Sequence, residues 1–460
     1  MTTALGRHAR ESILIGITCV VGVCTYLLYL DDWTSMDRTR TGIRNAWDSV
    51  AIPFGANTTV SSDGEEPQYC TAADYATGQW VRRLDPPTNL DDIRKLYSVT
   101  DRGRIECNPP GWPVAAKGQV PLDDPEHIAR MLNDTRWRWQ PEADCRRHEL
   151  SEEAFVVRML RSRAGMVMVG DSLVEQQHQI IRNILHSTDG PFVLKSHGNR
   201  PRVDSIFLNP NHNLTKHYLK IARVTEERLR NPITTFILER HLLSLAEFDQ
   251  AFAHLEGYIP LTSEDGPHQW VSESLWNEEY RKLQENPVVF QEADGAGLVE
   301  EPTILLLSTG PHWIAREVSK RVDSVMRNLT ESSSSFVKIW YRASTPGHVD
   351  CQNILEPAVE NPSWNTSPNG MAYNWHLMEP FNNAWKTRID KATKENALDM
   401  SYLDVWPISL QRGDSHLLPP TDCLHFCYQG VVEEWQQTLW QEIVRESLNE
   451  DYDTGRPVYL

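Results

Sequence analysis

Two segments far apart in the chain hold residue types that together make an acyl-transfer site. The first is Gly170-Asp171-Ser172, which follows the apolar run Met166–Val169. The second is Asp422-Cys423-Leu424-His425, shortly before a long helix-forming stretch. A serine hydroxyl is a weak nucleophile until a neighbouring base takes its proton. His425 can be that base through one ring nitrogen, while Asp422 accepts from the other and fixes the tautomer. The offset between Asp422 and His425 lets both share one turn and face the same way.

Ser172 also stands where a predicted strand gives way to a helix. Free backbone N–H groups and the helix dipole at such a point stabilise an oxyanion. In an open parallel sheet, chemistry gathers outside the carboxyl ends of the strands. The bland reading of Gly-Asp-Ser is an ordinary turn or helix cap. Asp124-Pro-Glu-His127 and Asp265-Gly-Pro-His268 repeat the second pattern in loop-like contexts and read as decoys. His425 is preferred because Cys423 and Cys427 flank it and a terminal helix follows.

The elements that must position these groups are legible as apolar runs. Met166–Val169, Thr235–Leu238, Ile304–Leu307, Phe336–Tyr341 and Met400–Val405 read as strands, the first three of parallel type. Leu173–Leu185, Phe381–Ala392 and Gly430–Leu448 read as helices. Their alternation predicts an α/β fold with a doubly wound, mostly parallel sheet. Residues 67–150 carry three cysteines and little periodicity, and are predicted to form a small disulfide-stapled N-terminal lobe. Residues 151–460 form the catalytic domain, with 255–301 as a helical insertion or lid.

At 460 residues the chain can bury a large core, and its net charge of −18 gives nucleic-acid binding no electrostatic support. Ser12–Leu30 is uncharged and long enough to span a thin bilayer. It predicts a transmembrane signal anchor, with residues 1–11 as a cytoplasmic tail and 31–66 as a polar stem. Arginines lie on both sides of the run (Arg7 and Arg10; Arg38, Arg40 and Arg44), so charge alone does not orient it. Glycosylation sequons at Asn57, Asn133, Asn213, Asn328 and Asn365 do, together with Cys70, Cys107, Cys145, Cys351, Cys423 and Cys427 beyond the anchor. A lumenal, oxidised body follows. No cysteine or histidine spacing suits zinc, so disulfides are favoured over a metal.

The motifs resemble the GDSL/SGNH esterases, and more closely the PC-esterase group that includes the plant trichome-birefringence-like polysaccharide O-acetyltransferases. Cys70 with Gly78-Gln79-Trp80-Val81 is similar to that group's opening, and Trp137-Arg138-Trp139-Gln140-Pro141 before Cys145 to its next block. Val167–Leu173 resembles the nucleophile strand and turn. Ser308-Thr309-Gly310-Pro311-His312-Trp313, Arg342 through His348 with Cys351, and the Asp422–Cys427 ending followed by Gly430 and Trp435 match in order. The resemblance implies an SGNH-like catalytic lobe carrying Ser172, Asp422 and His425, with an acceptor groove against the small lobe. It further implies a Golgi or other secretory-pathway single-pass enzyme moving acetyl groups onto or off glycan or polysaccharide hydroxyls by double displacement. No bound cofactor and no metal are implied; acetyl-CoA or an acetylated intermediate serves as donor.

One departure concerns the oxyanion hole. Ser308 stands where the plant pattern has Asn, and offers a single hydroxyl proton. Ser172, Gly198 and Gly310 are the further candidates for oxyanion or substrate contacts. Trp137, Arg138, Trp139 and Trp313 are candidates for a sugar groove, against the bland reading of core tryptophans. His312 and His348 are read as site residues or satisfied core histidines, and Arg342 as a substrate contact or, preferably, the partner of a carboxylate. Cys423 and Cys427 flank the His425 loop, so one is predicted to bond Cys351 and the other to reach the small lobe. Two rival functions stay open: an acyl-glycan or lipid esterase, and a glycan-binding module that keeps the fold without turnover.

Overall fold

The computed structural model describes residues 69–107, 124–198, 202–254, 276–291, 297–312, 318–332, 336–362 and 375–448. The predicted tail, anchor and stem (1–66), Asn57, Asn365, Trp313 and the Asp265–His268 decoy lie outside them. Among the described residues no helix is long and apolar enough to cross a membrane. Residues Glu66–Leu460 form one unit by their contacts.

Strands β1 (Gly78–Arg82) and β2 (Trp137–Pro141) pair antiparallel in the N-terminal region. The central sheet is built from β3 (Met166–Gly170), β4 (Phe192–His197), β5 (Val203–Leu208), β6 (Thr234–Leu238), β7 (Thr303–Ser308), β8 (Val337–Arg342) and β9 (Met400–Leu403). Strands β10 (His416–Leu418) and β11 (Asp422–Phe426) form a separate antiparallel ribbon.

The sheet order is β4-β5-β6-β3-β7-β8-β9, with β6, β3, β7, β8 and β9 mutually parallel. Strands β4 and β5 add an antiparallel edge. The fold is therefore mixed α/β with a mostly parallel sheet. Strand β3 is buried at every residue, which is why it reads as an uninterrupted apolar run. The chain leaves β3 for one side of the sheet, reaching β6, and returns to the other side at β7. That reversal makes the carboxyl end of β3 the switch point of the sheet, the place outside which open α/β sheets bind ligands.

A parallel pair needs a crossover connection. Helices Leu245–Phe252 and Trp276–Leu283 lie within the one from β6 to β7, so the described part of the expected 255–301 insertion is crossover. The indole of Trp276 donates to Leu242 O just beyond β6, at 3.2 Å. Glu301 is fully buried beside Arg158 before β7 begins.

The N-terminal region has a small core of its own: Ile93, Val99, Ile105, Cys107, Met131 and Cys427. Three disulfides tie the architecture together. Cys70–Cys145 closes this region on itself, Cys107–Cys427 joins it to the end of the β10–β11 ribbon, and Cys351–Cys423 joins the ribbon to the loop after β8. The two cysteines beside His425 thus pair as predicted. The Gly-Gln-Trp-Val motif docks β1 on the segment before β10: the Trp80 indole donates to Ile408 O (2.9 Å), and Gln411 donates to Gly78 O (3.1 Å).

Candidate active site

The nucleophile turn follows from the bulk of its neighbours. A Cβ on Gly170 would meet Ser308 O at 2.3 Å and Val174 Cγ2 at 2.4 Å, so only glycine lets the strand turn here. Asp171 then caps the helix Ser172–Leu185, its side chain accepting from Leu173 N at 3.0 Å. The N–H groups of Val174 and Glu175 go to Asp171 O. The Ser172 N–H is the first-turn amide without a partner among the described residues, and it points with the positive end of the helix dipole.

His425 arrives on β11. One carboxylate oxygen of Asp422 accepts the backbone N–H groups of Leu424 and His425, each at 3.0 Å, which shapes the local chain. The other oxygen lies 2.7 Å from His425 Nδ1. On its far side, His425 Nε2 lies 2.7 Å from Ser172 Oγ. Because a carboxylate only accepts, Nδ1 carries the proton and neutral Nε2 is left to accept from the serine hydroxyl. The imidazole therefore bridges the other two groups directly.

Electrostatics sharpen this arrangement. Burial raises the Asp422 carboxyl, but the hydrogen bond and charge of His425, with the two backbone N–H groups, outweigh it and hold the group at about 2. Burial pulls the His425 imidazole down, yet the bond to and charge of Asp422, with Asp171 and Glu175 beyond, raise it above its ordinary value.

The remaining predicted residues sort into three groups. His312 joins the site: burial lowers its pKa most, Asp171 opposes this, and Arg240 and His425 add to it, so these four side chains share one electrostatic neighbourhood. Ser308 follows Leu307 on β7 opposite Gly170, with its hydroxyl accepting from Arg342 Nη2 at 3.1 Å. It keeps one proton to donate.

Others are structural. Arg342 is fully buried, donating also to Leu173 O (3.3 Å) and Gln177 Oε1 (3.0 Å), with its guanidinium 4.5 Å from the Trp435 ring centre. It is a rivet between the nucleophile helix and β7 rather than a substrate contact or the partner of a carboxylate. Burial lowers it to about 10, against the pull of Asp171 and Tyr341. Trp139 is wholly buried with its indole donating to Tyr75 O, which removes it from any groove. Gly310 is packed under Ser344 and Met378, where a Cβ would fall 2.2 Å from Ser344 Oγ. His348 is buried and bonded to His416 and Leu410 O.

A third group lies away from the triad or at the surface. Gly198 ends β4, the outermost strand, three places from β3; strand spacing alone separates them by about 14 Å. The loop flanking β3 on that side follows β6 instead. Trp137 is half-buried with Arg82 5.6 Å from its ring centre, and Arg138 bonds Gln140 at 3.3 Å. His127, in the first decoy, is a buried helix residue whose backbone N–H is capped by Asp124. Of the described sequons, Asn213 is exposed, Asn133 is half-buried in a helix, and Asn328 donates to Glu247. The one metal-like cluster among the described residues, Cys107, Asp134 and Cys427, has its two sulfurs locked in a disulfide.

Three contributors were not read from the sequence. Arg240 lies two residues past the end of β6, a charged residue just beyond a strand that neighbours β3, and the sequence carries that signal. Gln176, one turn after Ser172, bonds both backbone groups of Phe426. His416 contacts the backbone of His425. The last two depend on pairings across the chain that no local pattern announces. A scan against protein-family models finds no match for this sequence, and a search of curated proteins finds none either.

Proposed function

We propose that this chain is a lumenal glycan or polysaccharide O-acetyltransferase that works through a serine acyl-enzyme on a doubly wound, SGNH-hydrolase-like domain. The single observation that carries the reading is the bonded series Asp422–His425–Ser172, with 2.7 Å at each link. Ser172 Oγ attacks the acetyl carbonyl while its proton passes to His425 Nε2. The tetrahedral oxyanion faces the Ser172 N–H, with the Ser308 hydroxyl as a further donor. On collapse the donor's leaving atom departs with the proton from Nε2, and acetyl remains on Oγ. An acceptor hydroxyl then yields its proton to Nε2 and attacks the same carbon, and Ser172 Oγ departs with that proton from Nε2, restoring both groups.

The transferase assignment rests on the motif resemblance to the PC-esterase group, as does the acetyl donor. The three disulfides support an oxidising compartment. With the apolar run at 12–30, we read a single-pass protein of the Golgi or another secretory-pathway membrane. A second reading, hydrolysis of acylated glycans or lipids, is favoured by one feature: the His425 and Asp422 side chains keep 23% and 30% of their surface open, so water can reach them.

Incubation of the full-length protein with an acetyl ester, with and without oligosaccharide, separates the two. Transferase predicts acetylated Ser172 by mass spectrometry and acetylated sugar as product. Acetate release indifferent to sugar, with no acetylated sugar, assigns the hydrolase. Absence of any Ser172-dependent fluorophosphonate adduct leaves a glycan-binding module and ends both enzyme readings.

A further inference from the structure

Behind the triad lies a pair of histidines in contact. His416 is fully buried at the start of β10, and His348 is buried in the loop after β8. His416 Nδ1 stands 3.1 Å from the backbone carbonyl of His425, and His416 Nε2 stands 2.7 Å from His348 Nδ1. His348 Nε2 stands 2.9 Å from Leu410 O, and the His348 N–H donates to Cys423 O at 2.9 Å. The His416 ring stacks on Phe426 at 4.6 Å. The pair thus runs from the segment that receives β1 to the backbone of the proposed base.

Counting protons makes the arrangement directional. Two neutral imidazoles own two N–H groups, and three contacts ask for three. Burial favours the neutral form of both rings. If each ring donated to its own carbonyl, two bare nitrogens would face each other at 2.7 Å and repel; otherwise both protons point towards Leu410, or both point towards His425. The charged groups around the pair decide between these. Asp414, on the His348 side, is answered by Arg412 at 2.9 Å, which also bonds Asp134. Arg130 donates to the carbonyls of Asp414 and His416. Asp422, on the His416 side, pairs with His425. At His416 the pull of Asp422 exceeds the opposing push of Arg130, so the N–H dipoles are drawn towards the triad.

We propose that His416 is a positioning residue for the acyl-transfer reading above: protonated on Nδ1, it donates to the carbonyl of His425 and holds that ring between Asp422 and Ser172, while His348 Nδ1–H donates to His416 Nε2. His348 Nε2 is then the bare nitrogen, facing Leu410 O. The inference rests on the proposed function only for the word catalysis; the backbone clamp is a property of the fold. Loosening the clamp weakens the Asp422–His425 bond, and the imidazole returns towards the ordinary histidine pKa of about 6.5.

The test uses the full-length chain carrying ring-15N histidine. In the wild-type protein, His416 is expected to show a protonated Nδ1 and a bare Nε2; the opposite tautomer overturns the proposal without any variant. In His416→Ala, the titration midpoint of His425 is expected to fall, and fluorophosphonate labelling of Ser172 to slow by about tenfold to a hundredfold. His416→Gln, whose amide N–H can reach the same carbonyl, is expected to recover most of both. A folded His416→Ala protein with an unmoved His425 midpoint overturns the proposal. A wild-type protein that never labels, but whose His425 midpoint still drops in the variant, refutes the acyl-transfer reading and leaves the clamp standing.

Discussion

Gln176 grips both backbone groups of Phe426: its amide donates to the carbonyl at 2.7 Å and its oxygen accepts the N–H at 3.2 Å. Gln176 lies one turn along the helix that Ser172 begins, and Phe426 immediately follows His425. One side chain therefore sets the distance between the helix bearing Ser172 and the strand bearing His425. Both partners are buried, so nothing else replaces these bonds. Gln176→Leu keeps the approximate volume but leaves two buried backbone groups bare, at a cost of about 1–3 kcal/mol. Labelling of Ser172 should slow by more than the fall in thermal stability would account for. A variant that melts lower but labels at the wild-type rate would show that other contacts hold the spacing.

The two shifted groups of the triad give opposite pH dependences. Only neutral His425 can accept the serine proton, and its pKa is raised. Labelling should therefore rise with pH through a midpoint above about 6.5. In stability, a raised histidine contributes fully below its unfolded value and loses that contribution as pH climbs through the folded one. Asp422, held at about 2, contributes above its ordinary 3.8 and loses this as pH falls towards 2. The ion pair is complete only between these limits. Asp422→Asn should thus lower the melting temperature more at pH 5 than at pH 8. It should also slow labelling by up to about ten-thousandfold, since the ring tautomer is no longer fixed. Equal destabilisation at both pH values would show that the pair is not ionised in the fold.

How far the sequence disclosed this depended on whether the deciding contacts were local. Strand β3 was legible because both its faces are covered, which forces a continuous apolar run. Strands β4 and β5 were missed: β5 buries Asp204 and Ser205, and β4 is an edge strand with exposed residues, so neither shows a clean pattern. Gly198 was misplaced for the same reason, since its strand runs to the sheet edge while β6 takes the position beside β3. Residue type alone makes Trp139 a groove candidate set against a core reading, and Arg342 a substrate contact or, preferably, the partner of a carboxylate. Their burial follows from partners at Tyr75, Gln177, Ser308 and Trp435, which are scattered along the chain. The Asp422–His425 contact is legible because its logic is contained in four residues.

The Cys351–Cys423 bond sits next to Asp422 and joins the ribbon to the loop after β8. Cys423 keeps 7% of its surface exposed while Cys351, Cys107 and Cys427 are at or below 1%, so this bond is the more accessible of the two that hold the ribbon. Stepwise dithiothreitol treatment should abolish Ser172 labelling before far-UV circular dichroism changes. Cys351→Ser with Cys423→Ser should reproduce the loss in a protein that remains folded. Coincident loss of labelling and secondary structure would make the bond a staple of the whole fold and not of the site.

At Gly170, β7 and the helix that begins at Ser172 both crowd the strand. Of the two atoms a Cβ would meet, Val174 Cγ2 belongs to a side chain that a substitution can remove, while Ser308 O belongs to the ladder between β3 and β7. Gly170→Ala should therefore force these strands apart at the point where Ser172 is presented, with a cost of about 1–3 kcal/mol or more from overpacking. Adding Val174→Ala relieves only the helix side, so the double variant should recover part of the stability and little of the labelling rate. The measurement is the second-order labelling constant of each variant alongside its melting temperature. Full recovery of labelling in the double variant would place the constraint in the helix, and the backbone oxygen of Ser308 would then have no part in aiming the nucleophile.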